Sequence, residues 1–216
     1  MKVTLLDSLG TDVNVVNAAR VSFAKEQIIF EEKDERLIKY LADHDHWTPF
    51  SQVQYQVRIS APIFVARQWF KHQIGITRNE VSRRYVDFDP EVYNTRLWRK
   101  RPENKKQGSS DTSFFSESEL DTVSFLYSDA VRHASDSYKA MIEKGVAPEQ
   151  ARAVLPQGMY TEWVETGSLA AAARICSLRI QEDAQKEIQD LAIMLQKEIE
   201  PIAPYSWKAL TNAYRK

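Results

Sequence analysis

Arg67, Gln68, Lys71 and His72 interrupt an otherwise apolar run, Ile63-Phe64-Val65-Ala66-Arg67-Gln68-Trp69-Phe70-Lys71-His72. Burying such groups beside Trp69 and Phe70 is costly unless each finds a partner. Either a bound anion supplies the partners, or the long stems edge the core while their heads reach water. The following segment, Thr77-Arg78-Asn79-Glu80-Val81-Ser82-Arg83-Arg84-Tyr85, gathers a carboxylate, an amide, a hydroxyl and several guanidiniums. Arginines beside a hydroxyl suit a phosphate, gripped through charge-assisted and often bidentate hydrogen bonds. Asn79 and Glu80 add groups that pair with a planar heterocycle. The segment also reads as a solvated turn with surface ion pairs. Its adjacency to the first polar run is what points to a site.

Other chemistry-bearing residues carry less. His44-Asp45-His46 supplies too few ligands for a metal, so no metal site is expected. His133 falls on the polar side of an amphipathic helix. Arg96, Arg99, Lys100, Arg101, Lys105 and Lys106 form a basic run that reads first as a solvated loop face. Gripping a polyglutamylated folate or another subunit is the alternative. Cys176, in the apolar context Arg174-Ile175-Cys176-Ser177-Leu178, reads as a small buried hydrophobe, not a nucleophile.

The elements that must position these groups follow from periodicity. Residues 3–6 suit a first strand, and Asp12 to Ala19 a short helix with Thr11 as N-cap. Leu37, Ile38 and Leu41 mark a helix over 34–43. Val53, Tyr55, Val57 and Ile59 alternate with polar residues, which predicts a strand with one buried face. Pro62 then opens a helix through His72, with Ile63, Ala66 and Phe70 as its apolar stripe. Arg67 and Lys71, like Gln68 and His72, stand one turn apart on it. Residues 86–118 read as a long irregular loop. Leu120 to Met141 predict a helix closed at Gly145, and another starts near Pro148. Ser168–Ser177 predicts a buried helix, and Ala184 to Ile199 an amphipathic one stopped by Pro201. With no repeat and no linker, the expected class is α+β: one domain over 1–216, an antiparallel sheet flanked by helices, mostly helical.

Composition narrows the function classes. The chain has 216 residues, 43% hydrophobic and 27% charged, with 29 basic against 30 acidic side chains. That balance argues against a general nucleic-acid binder, which needs a net positive field, but not against one nucleotide. No apolar run suits a membrane span, and the amino terminus lacks a signal-peptide pattern. A single cysteine excludes an internal disulfide and suits the cytoplasm.

Taken in order, several blocks resemble the motifs of the flavin-dependent thymidylate synthases. They are Ala18-Ala19-Arg20-Val21-Ser22, His46-Trp47-Thr48-Pro49-Phe50, Ala61 through Gln73, Asn79 through Tyr85, Ala151 through Pro156, Leu178-Arg179 and Ala184 through Ile188. The resemblance implies reductive methylation of dUMP to dTMP, with methylenetetrahydrofolate as carbon donor, FAD as cofactor and NADPH as reductant. It implies a homotetramer with shared active sites. Ser22, His46, Thr48, Lys71, His72, Gln73, Asn79, Glu80 and Arg174 then surround FAD. Gln68, Glu80, Ser82, Arg84, Arg152 and Arg179 hold dUMP, and Arg179 polarises its ring. Lys71 and Gln73 stand where the family usually has arginine, the spacer before Ser82 is one residue longer, and Asp183 replaces a common histidine. These departures fall mainly on the flavin side. They motivate two alternatives: a pyrimidine nucleotide hydroxymethylase, or a non-catalytic nucleotide-binding protein on the same scaffold.

Overall fold

The alternation around Tyr55 becomes strand β2 (Gln54–Pro62) in the computed structural model, with Tyr55, Val57, Ile59 and Ala61 buried. The structure describes residues 1–86, 91–95, 97–102, 109 and 114–214. Strand β1 (Lys2–Leu9) pairs antiparallel with β2, from Lys2 opposite Ser60 to Leu9 opposite Gln54, with a register shift between Leu5 and Asp7. Strands β3 (Ile76–Glu80) and β4 (Tyr160–Ser168) complete a sheet in the order β1-β2-β4-β3. Backbone bonds from Leu169 N to Val53 O and from Ile63 N to Met159 O set β4 antiparallel to β2. The helices are α1 (Asp12–Arg20), α2 (Glu32–Asp43), α3 (Ile63–Trp69), α4 (Glu117–Glu143), α5 (Pro148–Ala151), α6 (Leu169–Arg179), α7 (Lys186–Ile199) and α8 (Pro204–Ala213). The α+β class with an antiparallel sheet is therefore the observed one.

The chain forms two compact units, each discontinuous in sequence: Met1–Ser60, Gln68–Asn79 and Trp163–Lys216 in one, Ala61–Arg67 and Glu80–Glu162 in the other. In the first, α7 buries Ile188, Leu191, Leu195 and Ile199 at helical spacing and packs on α6 and β1. Helix α6 is buried along most of its length, its run of four alanines, Ala170 to Ala173, letting neighbours approach closely, and Ser168 Oγ caps it by accepting from Ala171 N at 3.2 Å. The start of α8 is capped from a distance. The Asp12 carboxylate accepts from Ser206 N at 2.7 Å, Ser206 Oγ at 2.6 Å and Tyr205 N at 3.2 Å. An anion there satisfies free N–H groups and opposes the positive helix end.

In the second unit α4 begins at a capping box. Glu119 Oε2 accepts from Ser116 N at 2.7 Å, while Ser116 Oγ accepts from Glu119 N. Only Tyr138 of this 27-residue helix is buried. Parts of the expected irregular segment 86–118, namely 87–90, 96, 103–108 and 110–113, lie outside the described residues, and with them Arg96, Lys105 and Lys106. Its described remainder holds no helix or strand before Glu117 except a bridge from Val92 to Met159. Arg99 donates to Ser109 Oγ at 2.7 Å and Lys100 pairs with Glu119 at 3.5 Å, local partners that suit a solvated loop face.

Several expectations are corrected. The helix expected through His72 ends at Trp69, and Pro62 belongs to the strand before it. Lys71 N and His72 N bond to Gln68 O and Trp69 O, a turn that no longer stacks 67 over 71 or 68 over 72. The buried face of α3 is Val65, Ala66 and Trp69, not Ile63, Ala66 and Phe70. The start of the segment 77–85, for which a solvated turn is the alternative reading, instead belongs to a strand, Ile76–Glu80. Among the described residues no helix is long and apolar enough to cross a membrane.

Candidate active site

Glu165 on β4 is fully buried, and its carboxylate organises the first unit. Oε1 accepts from Tyr55 OH at 2.9 Å; Oε2 accepts from Arg78 Nε at 2.6 Å, Trp69 Nε1 at 2.9 Å and Trp163 Nε1 at 3.3 Å. A buried carboxylate is tolerated only when paired and hydrogen-bonded to this degree. Gly167 makes room for one donor: a Cβ there would lie 2.7 Å from Tyr55 Oη and 2.8 Å from its Cζ. Burial, followed by the neighbouring Glu165 charge, raises the Tyr55 phenol well above its ordinary range.

From Glu165 the contacts lead to two expected site residues. Arg78 Nη1 donates to His72 O at 2.6 Å, and its guanidinium lies 5.2 Å from the Phe70 ring centre. Arg179, in the last turn of α6, donates from Nε to His72 Nε2 at 2.9 Å. His72 Nε2 must therefore be unprotonated, with the ring proton on Nδ1. The imidazole pKa is lowered to about 4, first by burial and then by Arg179, Arg174 and Arg78. Arg179 makes no other hydrogen bond or ion pair among the described residues, which leaves both Nη groups for a ligand.

Four of the other expected flavin residues of this unit, Ser22, His46, Thr48 and Arg174, line two cavities. Ser22, His46 and Thr48 line one of about 390 Å³ together with Asp45 and Trp47. Arg174 lines another of about 410 Å³ with Asp45, Trp47, Gly75, Ser168 and Tyr214. An indole wall, a guanidinium and small residues fit a planar heterocycle with a polar edge. Gly75 (φ +75°) keeps the second cavity open, since a Cβ would meet Ser168 Oγ at 3.2 Å and Ala171 Cβ at 3.3 Å. Lys71 and Gln73 are exposed in the turn after α3, and Asn79 is exposed on β3; none lines either cavity. Gln68 donates to the Gln185 side chain, which in turn donates to Glu187 Oε2 at 2.8 Å.

The second unit holds Glu80, Ser82, Arg84 and Arg152. Thr161 Oγ1 donates to Glu80 Oε1 at 2.6 Å. Ser82 Oγ accepts from Arg84 N at 3.3 Å. Arg84 and Arg152 converge on Glu149: Arg84 Nε lies 3.7 Å from its carboxylate, and Arg152 Nε donates to its carbonyl at 3.2 Å. Arg84 is half exposed, so its pair with Glu149 contributes at most about 1 kcal/mol and is readily exchanged for a phosphate. Arg83, not Arg84, is the buried guanidinium of the segment.

Sequence patterning missed Glu165, Arg78 and Tyr55 as parts of this arrangement. Glu165 lies 110 residues from Tyr55 and 87 from Arg78. A single carboxylate in Trp163-Val164-Glu165-Thr166-Gly167 carries no local sign of that. Cys176 is 1% exposed, and burial raises its thiol pKa far from the thiolate range, in keeping with a packing role.

The family described as thymidylate synthase complementing protein matches residues 4–205. The flavin-dependent thymidylate synthase of Thermosipho africanus is 37% identical over 98% of this chain and 91% of its own. That of Thermus thermophilus is 37% identical over 96% of this chain and 74% of its own. The crystal structure of the UMP/dUMP methylase PolB from Streptomyces cacaoi bound with 5-Br dUMP superposes with a TM-score of 0.87 at 29% identity, covering 99% of this chain and 96% of that one. This chain is an enzyme that belongs to the flavin-dependent thymidylate synthase family.

Proposed function

We propose that the chain reductively methylates dUMP to dTMP, with methylenetetrahydrofolate as carbon donor and NADPH as reductant, as a single synthase domain in a cytoplasmic homotetramer. FAD, when bound, supplies the hydride chemistry that no side chain here can provide. Ser22, His46, Thr48 and Arg174, which line the two cavities, would hold it, with Lys71, His72, Gln73, Asn79 and Glu80 completing the contacts. Gln68, Glu80, Ser82, Arg84 and Arg152 bind dUMP, the two arginines leaving Glu149 for its phosphate.

One observation carries the catalytic assignment: Arg179 is tethered to His72 through Nε alone. Its Nη edge, without a partner among the described residues, would stabilise negative charge that develops on the ring when aimed at a pyrimidine oxygen. Neutral His72 accepts without adding a second positive charge. Replacing Arg179 with Ala therefore lowers turnover by about 100-fold or more while FAD content holds. Full turnover in that variant refutes the assignment.

The tetramer is supported by apolar side chains left at the surface, among them Val21, Phe23, Ile28, Ile29, Phe125 and Leu126. Light scattering then gives four times the 25.0 kDa chain mass; a monomer mass refutes it. Similarity to a UMP/dUMP methylase favours a second reading, in which UMP is also accepted. Parallel assays with UMP and dUMP separate the two.

A further inference from the structure

Glu165, Arg78 and His72 form a continuous relay of contacts that ends on Arg179, and it is expensively built. The Arg78 side chain is only 12% exposed, and its Nη2 is buried with no hydrogen-bond partner among the described residues. A buried ion pair is weak evidence for stability, since apolar residues of similar volume often do as well, and an orphaned N–H adds a further cost. Stability alone thus gives poor reason for placing Glu165 and Arg78 where they are. What the pair does achieve is orientation. Two indoles and a phenol hold the carboxylate, the carboxylate holds Arg78 by Nε, and Arg78 pins the His72 carbonyl. His72 follows α3 in a turn, so fixing its backbone fixes where its ring presents Nε2 to Arg179.

We infer that Glu165 is a positioning residue for the reaction: through Arg78 and the His72 backbone it sets the orientation in which Arg179 meets the substrate. The inference rests on the assignment of Arg179 to the pyrimidine ring. It concerns residues of this chain only, and the residue at its origin is in no ligand-facing cavity described above. Glu165→Gln keeps shape and lets Tyr55 reverse its hydrogen bond, but strips the charge that holds Arg78. Arg78→Lys keeps the charge while losing the fork that spans Glu165 and His72.

The test uses purified full-length protein with histidine labelled by 15N, together with steady-state kinetics on the FAD-loaded enzyme. In the parent, His72 shows a single tautomer with Nδ1 protonated. In Glu165→Gln and Arg78→Lys the tautomers mix, and kcat on dUMP per bound FAD falls by about 10- to 100-fold with KM little changed. In an Arg179→Ala background neither substitution lowers kcat further, because the residue being positioned is gone. An unchanged His72 spectrum with unchanged kcat in a folded variant overturns the inference, as do losses that multiply with that of Arg179→Ala. If Glu165→Gln does not fold, Arg78→Lys carries the test. Should Arg179→Ala itself keep full turnover, the catalytic assignment fails, while the His72 spectrum still reports whether Glu165 orients the relay.

Discussion

Gly167→Ala tests the packing around the buried carboxylate, because two effects of opposite sign compete there. In a strand, alanine in place of glycine gains about 0.5–1 kcal/mol from the lower entropy of the unfolded chain. Against this, the new methyl would lie 2.7–2.9 Å from Oη, Cζ and Cε1 of Tyr55, a ring that is 1% exposed and cannot swing into solvent. Overpacking costs about 1–3 kcal/mol. Displacing the ring also strains or breaks the Tyr55 bond to Glu165, and bonds to charged groups contribute about 1.5–3 kcal/mol. The clash wins, with a net loss of about 3 kcal/mol. At this chain length that corresponds to a Tm lower by about 6–12 °C, from about 2–4 °C per kcal/mol. Thermal unfolding followed by circular dichroism, with urea unfolding in parallel, measures it. A Tm equal to or above that of the parent would refute the reasoning, since it would mean that Tyr55 yields at no cost.

Three further outcomes follow from the same contacts. His72 has a pKa near 6.5 unfolded and about 4 folded, so between those values the unfolded chain binds more protons. Its contribution to stability is complete above pH 6.5 and is lost as pH falls toward 4; His72→Gln flattens the unfolding free energy over that window, and an unaltered slope contradicts this. Asp12→Asn, which weakens the distant cap on α8, costs about 1–2 kcal/mol and lowers hydrogen-exchange protection at Tyr205 and Ser206; full protection there counts against the cap. Cys176→Ala retains turnover, and the native thiol reacts slowly with a disulfide reagent, because the sulfur is buried and far from its thiolate form. A tenfold loss of turnover would restore a chemical role to Cys176.

What was legible in the sequence depended on whether a buried face was apolar. Strand β2 and helix α7 stood out because Tyr55, Val57 and Ile59, or Ile188, Leu191 and Leu195, mark their buried sides in the right period. Strand β4 did not, because its buried side carries Thr161, Glu165 and Gly167 beside Trp163. Strand β3 was hidden for a similar reason, its exposed Thr77 and Asn79 and half-buried Arg78 reading as a turn. The expected helix runs past the end of α3 because Phe70 continues its apolar run, whereas the chain turns there to bring His72 under Arg78. Helix α8 leaves no local pattern because its start, Pro204, follows closely on Pro201 and the cap on Tyr205 N comes from Asp12, 193 residues away. The candidate site residues stand out through motif order. Their pairing does not: His72 and Arg179 lie 107 residues apart, and only the fold brings them to 2.9 Å.

The activity proposed for this chain is the conversion of dUMP to thymidylate. A product mass spectrum after anaerobic incubation with FAD, NADPH, methylenetetrahydrofolate and dUMP tests it most directly. The expected product is a nucleotide heavier than dUMP by one methylene, that is, dTMP. A hydroxymethylated product, or dUMP returned unchanged by flavin-loaded protein, would contradict it.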